Sequence, residues 1–264
     1  MPSSLRIDRL SRPVYGDLVR TRPLIIPIGA TEQHGVHLPL GTDAMCVTAM
    51  AELVSAQVGA LVAPTLPYGY RSIPRSGGGE EFPGTTGLSM GTTVAILGEL
   101  LMQFIEDGST QICILSGHYE NQAAMHEAAF LVTHSRSDVK VMTCLWADVL
   151  STKTLDDVFP SNLTYPGLAL EHAAFLETSI MLHLYPELVS DDRALDEKVV
   201  HFPPYDIYPT PAMLVPKSGS LAPTSGASGI AGKTIVDECI QKISEIFEME
   251  FGQANGVSKA GGSQ

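Results

Sequence analysis

Apolar residues run unbroken from Leu24 to Ile28 and stop at Gly29. A run this short, closed by a glycine, predicts a strand buried on both faces. Leu61 to Thr65, Ile112 to Leu115 and the stretch from Val139 to Leu145 read the same way. Between these runs the apolar positions recur with helical spacing. Thr42 would cap a helix continuing from Asp43, with Cys46, Met50, Leu53 and Val54 on one face and Gly59 at its end. Ser89 would cap another, in which Val94, Leu97, Leu101, Phe104 and Ile105 share a face before Gly108. A helix follows Asn121, one spans Leu170 to Leu184 and stops before Pro186, and a last one carries Ile235, Cys239, Ile243 and Ile246. The glycine-rich stretch from Ser76 to Gly87 reads as a loop, and the proline-rich stretch from His201 to Pro211 as irregular chain.

Strand–helix alternation predicts an α/β fold: a layered single domain with a mostly parallel sheet flanked by helices. With 264 residues, 44% of them hydrophobic, the chain can bury one substantial core. The domain is expected over residues 1–255, with 256–264 as a flexible tail. In such sheets ligands bind beyond the carboxyl ends of the strands, so chemistry is sought there.

Two strand ends carry ligand-type side chains. The first continues as Gly29-Ala30-Thr31-Glu32-Gln33-His34-Gly35, the third as Ser116-Gly117-His118-Tyr119-Glu120-Asn121. In extended chain, residues two apart face the same side, so Glu32 with His34, and His118 with Glu120, can each face one site. Asp43 lies just beyond the first pair, near a helix start. Gly29, Gly35 and Gly117 would let the backbone bend sharply there. Three carboxylates and two imidazoles without a thiolate suit zinc, manganese or a mixture of the two. A carboxylate such as Asp43 could bridge two cations, which would share and sharpen a water. Glu171-His172 forms a third acid–histidine cluster, and a histidine beside a metal site can move a proton. Glu177 comes five residues after His172, which is not the same face of an ideal helix: either the helix starts late or Glu177 does another job. Tyr119 and Trp146 are candidate pocket walls. The glycine-rich stretch lacks the lysine of a phosphate loop, which excludes nucleotide binding of that kind.

A net charge of −13 disfavours nucleic acid and anionic membranes as partners. No apolar run is long enough to cross a bilayer, and the first residues lack the apolar region of a secretory signal. Cys46, Cys113, Cys144 and Cys239 are far apart, with no CxxC pair, which fits reduced thiols in a cytoplasmic protein.

The segments PIGATEQHGVHLPLGTD, SGGGEEFPGTT, SGHYENQ, EHAAFLETS and FPPYD, between about Pro27 and Asp206, resemble the creatininase (creatinine amidohydrolase) family. The resemblance implies a metal-dependent hydrolase of C–N bonds in small, often cyclic, amides, with two divalent metals per subunit. By motif match, Glu32, Asp43 and His118 would hold one metal and His34, Asp43 and Glu120 the other, with Asp43 bridging. His172 matches the family's proton carrier, and Glu171 beside it contributes to the site. Ser76 and Tyr119 match positions around the substrate, Glu177 matches an acid near the active site, and a homohexamer is the implied assembly. The chain departs from the family's creatinine-opening enzyme where that enzyme has two pocket tryptophans. Ala147, preceded by Trp146, stands at the first and Leu168 at the second. Val36 replaces a further histidine. Creatinine is the leading substrate; another cyclic amide or imide, a formamide or a peptide-like amide is the alternative, and a non-catalytic metal-binding oligomer a remote one.

Overall fold

The computed structural model describes residues 5–191 and 198–252, so the expected tail at 256–264 lies outside the described residues. Five parallel strands form one sheet in the order β1-β3-β2-β4-β5. They are β1 (Leu5–Arg6), β2 (Leu24–Ile28), β3 (Leu61–Val62), β4 (Gln111–Ser116) and β5 (Lys140–Leu145). The helices are α1 (Arg12–Leu18), α2 (Thr42–Val58), α3 (Pro74–Gly77), α4 (Met90–Glu106), α5 (Gln122–Thr133), α6 (Thr152–Val158), α7 (Phe175–Leu184) and α8 (Gly229–Phe251).

The buried strands divide their side chains between two layers with period two. Ile25, Cys113 and Leu115 join the cluster formed with α2, α7 and α8. Leu24, Ile26, Ile28, Ile112 and Ile114 join the opposite cluster, with α4 and α5. Each face is covered by helices, as a parallel sheet requires. Most of the expected stripe positions are buried, namely Cys46, Met50 and Val54 on α2, Leu97, Leu101 and Ile105 on α4, and Ile235, Cys239 and Ile243 on α8, while Leu53, Val94, Phe104 and Ile246 are half-buried at the stripe edges. Ser89 caps α4 by accepting the Thr92 N–H, and Gly59 closes α2 in the left-handed conformation.

Several boundaries differ from the sequence expectation. α2 begins at Thr42, whose hydroxyl donates to Pro39 O at 2.7 Å instead of capping. The ladder at β3 lasts two residues, and Leu66 then bridges Ile28. Ser76 and Gly77 lie in the single turn α3, not in loop. The helix expected from Leu170 starts only at Phe175. α1 and α6 have no buried residue, so no apolar stripe announced them.

β2 connects through α2 to β3 on one side, while β4 pairs with β2 on the other. The order therefore reverses between β2 and β4, and the crevice beyond their carboxyl ends is the place where such sheets bind ligands.

Candidate metal centre

The chains leaving β2 and β4 both press against the first turn of α2. A Cβ on Gly29 would sit 2.4 Å from Ala44 N, and one on Gly117 would sit 2.3 Å from Asp43 O. Neither glycine has a positive φ; the reason for them is close approach, whereas Gly35 does turn left-handed at φ 67°. This contact delivers Asp43, in the first turn of α2, between the two strand ends. The helix amino end favours its negative charge.

Glu32, His34, Asp43, His118, Glu120, Glu171 and His172 are all buried. Among the described residues, three groups can bring ligand atoms within 4.8 Å of one another: Glu32 with Asp43 and His118, His34 with Asp43 and Glu177, and Glu32 with His34 and His172. Asp43 is common to the first two. Its Oδ1 lies 3.0 Å from His34 Nε2, and its Oδ2 lies 3.1 Å from His118 Nδ1. Glu32 Oε1 is 2.9 Å from His118 Nδ1, and Glu177 Oε2 is 3.6 Å from His34 Nε2.

Each imidazole turns one nitrogen to the carboxylates and the other to a backbone carbonyl. His118 Nε2 meets Tyr70 O at 3.0 Å, and His34 Nδ1 meets Glu32 O at 3.2 Å. With one N–H donated to a carbonyl, the opposite nitrogen faces the carboxylates and would offer its lone pair to a cation once its proton is lost, the arrangement typical of metal-binding histidines. Glu32 Oε2 is buried without a hydrogen-bond partner, which a cation would satisfy. The donor set is carboxylate and imidazole throughout, and it fits zinc or manganese.

Glu120 belongs to none of the three groups. Its Oε1 accepts from Ser76 Oγ at 2.6 Å and from Ile73 N–H at 3.2 Å, and its Oε2 lies 3.4 Å from His118 Nε2. Glu177 arrives because α7 starts late. Ala173 adopts φ 49°, breaks the chain direction, and donates its N–H to Glu177 at 2.6 Å. Glu171 accepts from Leu176 N–H at 2.8 Å, and its other oxygen is buried without a partner. His172 Nδ1 is 3.8 Å from Glu32 Oε1. Ser76, Tyr119, Trp146, Glu171, His172 and Glu177 line one cavity with Glu32, Asp43, His118 and Glu120; Ala147 and Leu168 complete an apolar wall.

Electrostatics follow from this packing. Burial opposes ionisation of Asp43, but His34 and His118 outweigh it and hold the carboxyl far below its ordinary range. Burial likewise opposes charge on His34 and His118; Asp43 and Glu177 raise the first, Glu32 and Glu120 the second, both well above the usual imidazole range. Burial pushes Glu32 up to about 7 and Glu171 up to about 8. Burial and then the neighbouring His34 push His172 well below its ordinary value.

Gln33 escaped the sequence reading. It alternates away from Glu32 and His34, yet its Nε2 lies 2.8 Å from His172 Nε2 and donates to Gly77 O and Gly219 O, while its Oε1 accepts the Gly35 N–H. Only the long-range return of Gly219 and His172 gives it a role, and no local pattern signals that.

The family described as "Creatininase: Creatinine amidohydrolase" matches residues 9–247. The chain is 35% identical to a creatinine amidohydrolase of Pseudomonas putida over 91% of this chain and 93% of the relative. It is 34% identical to a mycofactocin precursor peptide peptidase of Mycolicibacterium smegmatis over 64% of this chain and 61% of that one. A solved structure described as "Creatininase Mn" superposes with a TM-score of 0.90 at 34% identity, covering 94% of this chain and 99% of the other.

Proposed function

The chain belongs to the creatininase family, and from that premise we propose that it is a two-metal amidohydrolase opening a C–N bond in a small cyclic amide, with creatinine the leading substrate. The observation that carries the reading is the pair of buried imidazoles, each pinned by a backbone carbonyl and aimed at the shared carboxylate Asp43. Glu32, Asp43 and His118 would hold one divalent cation; His34, Asp43 and Glu177 would hold the other, a set that geometry favours over one containing Glu120. Zinc or manganese bound there would polarise the amide carbonyl and make a water acidic enough to attack it near neutral pH.

The chain's own residues do the rest. His172, kept neutral by burial beside His34, can take up a proton and pass it to the leaving nitrogen. Gln33 holds the imidazole edge in place. Glu120, fixed by Ser76 and the Ile73 N–H, offers a carboxylate at the cavity floor. Glu171, raised to about 8, carries a proton at neutral pH, lines the same cavity and has one oxygen without a hydrogen-bond partner. Tyr119 stands at the mouth, 39% exposed, and Trp146 flanks it.

A second reading is favoured by one observation: Ala147 and Leu168, both smaller than an indole, form the wall where the sequence resemblance expects tryptophans. A related cyclic amide, a formamide or a peptide-like amide would then be the substrate. The test is to load the protein with manganese and with zinc, count metal per chain, and assay creatinine-to-creatine conversion with Asp43→Ala as the blank. Turnover on the order of 1 per second or faster supports creatinine. Two bound metals without turnover moves the substrate to the second reading. A protein that binds no metal sinks the proposal. A cytoplasmic setting and a hexameric assembly belong to the same proposal, and light scattering after gel filtration tests the latter.

A further inference from the structure

The segment Phe202 to Asp206 matches a family motif but does not line the metal-centre cavity. Its contacts run instead to Arg75. The Arg75 guanidinium donates from Nε to Asp206 Oδ1 at 2.9 Å, and from Nη2 to Pro203 O at 2.9 Å and Tyr205 O at 3.1 Å. Arg75 stands in α3, the turn that builds one wall of the metal centre. Its neighbour Ser76 donates to Glu120, and Ile73 at the turn's start does the same through its N–H. Gly77 lies so close to the cluster that a Cβ there would sit 3.0 Å from Glu32 Oε2 and 3.1 Å from Glu120 Oε1.

A four-residue turn cannot hold its own shape, because helix nucleation is unfavourable at this length. Something outside must fix it. A single exposed ion pair would do little, and Arg75–Asp206 is partly exposed. The planar guanidinium, however, reaches three acceptors on one strap, two of them backbone, and so fixes direction as well as distance. We infer that Arg75 is a positioning residue for the reaction: by gripping the strap 202–206 it holds α3 where Ser76 fixes the Glu120 carboxylate. An ammonium in its place could not reproduce the fork.

The inference rests on the proposed function only for its kinetic arm. The first arm needs no substrate. Hydrogen exchange followed by mass spectrometry on the full-length, metal-loaded protein should show faster exchange at 72–79 and 202–206 in Arg75→Ala, with β2 and β4 unchanged. Unchanged exchange at 72–79 overturns the clamp, whatever the activity. In the kinetic arm, Arg75→Ala should lower kcat/KM about ten- to hundredfold, the scale of a small misplacement. Millimolar guanidinium should restore part of it, and Arg75→Lys should fall between the two. The loss should shrink in a Ser76→Ala background, since both substitutions disturb one carboxylate. Fully additive losses, or no loss, overturn the positioning role. A wild-type protein that opens no amide, yet shows the exchange response, would leave the clamp standing and refute the substrate reading alone.

Discussion

Glu177 Oε2 lies 3.6 Å from His34 Nε2 and also accepts the Ala173 N–H at 2.6 Å. One carboxylate thus caps the start of α7 and faces the His34–Asp43 group of the candidate metal centre. The two tasks are coupled: the left-handed Ala173 lets the chain swing from His172 to a helix whose first turn returns Glu177 to the same site. Sparsely populated backbone of this kind is characteristic of functional sites.

Replacing Glu177 with Gln keeps the amide acceptor for Ala173 but removes the negative charge from the His34–Asp43 group. Affinity for one of the two metals should fall by at least about tenfold to a hundredfold, since even supporting partners of a metal ligand are worth that much. Glu120→Gln should keep both metals and lose turnover. Metal titration followed by calorimetry checks both variants; an unchanged second site in Glu177→Gln and a lost one in Glu120→Gln would reverse the assignment.

Gly117 has no room for a side chain, because a Cβ would meet Asp43 O at 2.3 Å and Val47 Cβ at 3.1 Å. Gly117→Ala should push the first turn of α2 away and cost about 1–3 kcal/mol as overpacking. The signature is coupled loss: a lower midpoint in thermal unfolding together with less bound metal, because the displaced residue is Asp43. A lower midpoint with full metal content would separate the two effects and defeat the argument.

These contacts explain how much could be read from the chain alone. β2, β3 and β4 were legible because they are buried and written as short apolar runs, as at Leu24–Ile28; β5 is half-buried over most of its length, and β1, two half-buried residues, carries no apolar run and is not expected from the sequence. Glu32, His34, His118 and Glu120 were legible as acid–histidine pairs just past strand ends, although the chain from Tyr119 to Asn121 turns as a 3-10 helix instead of staying extended. Glu177 was legible only in part: its spacing offered a late helix start as one alternative, and α7 does start late, but its place beside His34 depends on the left-handed turn at Ala173, a residue with no glycine to advertise it. Gln33 and Arg75 were hidden for a different reason. Their partners lie over a hundred residues away, at Gly219 and Asp206, and local patterns carry no such information.

Of the three site imidazoles His34, His118 and His172, only His172 is pushed below its ordinary value, by burial first and His34 second. His172→Asn preserves much of the shape and part of the contact with Gln33, but cannot carry a proton. Turnover should fall about 10²- to 10⁴-fold, the usual worth of positioned acid–base catalysis. Metal content should stay constant, since Glu32, His34, Asp43, His118 and Glu177 all remain. Rapid-quench kinetics on the metal-loaded variant decide the matter; a drop smaller than tenfold, with two metals bound, would remove His172 from the proton path.

Metal binding should be tightly linked to pH. In the metal-free protein His34 and His118 are raised well above their ordinary range by the carboxylates around them, so both carry protons at neutral pH. Each must give up its proton to bind a cation. Affinity should therefore climb with pH through neutrality and level off only above the raised imidazole values. Glu32, at about 7, adds a fractional proton, whereas Asp43 is already ionised. The stability of the metal-free form has the opposite slope in that window. The His34 and His118 contributions are complete below the unfolded value near 6.5 and are lost as pH rises through the folded values. Asp43 contributes above its unfolded value near 3.8 and loses that only as pH falls far below it. Chelator-treated protein should thus weaken on raising the pH above about 6.5, while the metal-loaded form strengthens relative to it. Calorimetry of zinc binding in two buffers with different ionisation enthalpies counts the protons released. A binding heat independent of buffer would mean that the imidazoles are neutral before the metal arrives, and the charge pairing described for His34 and His118 would be wrong.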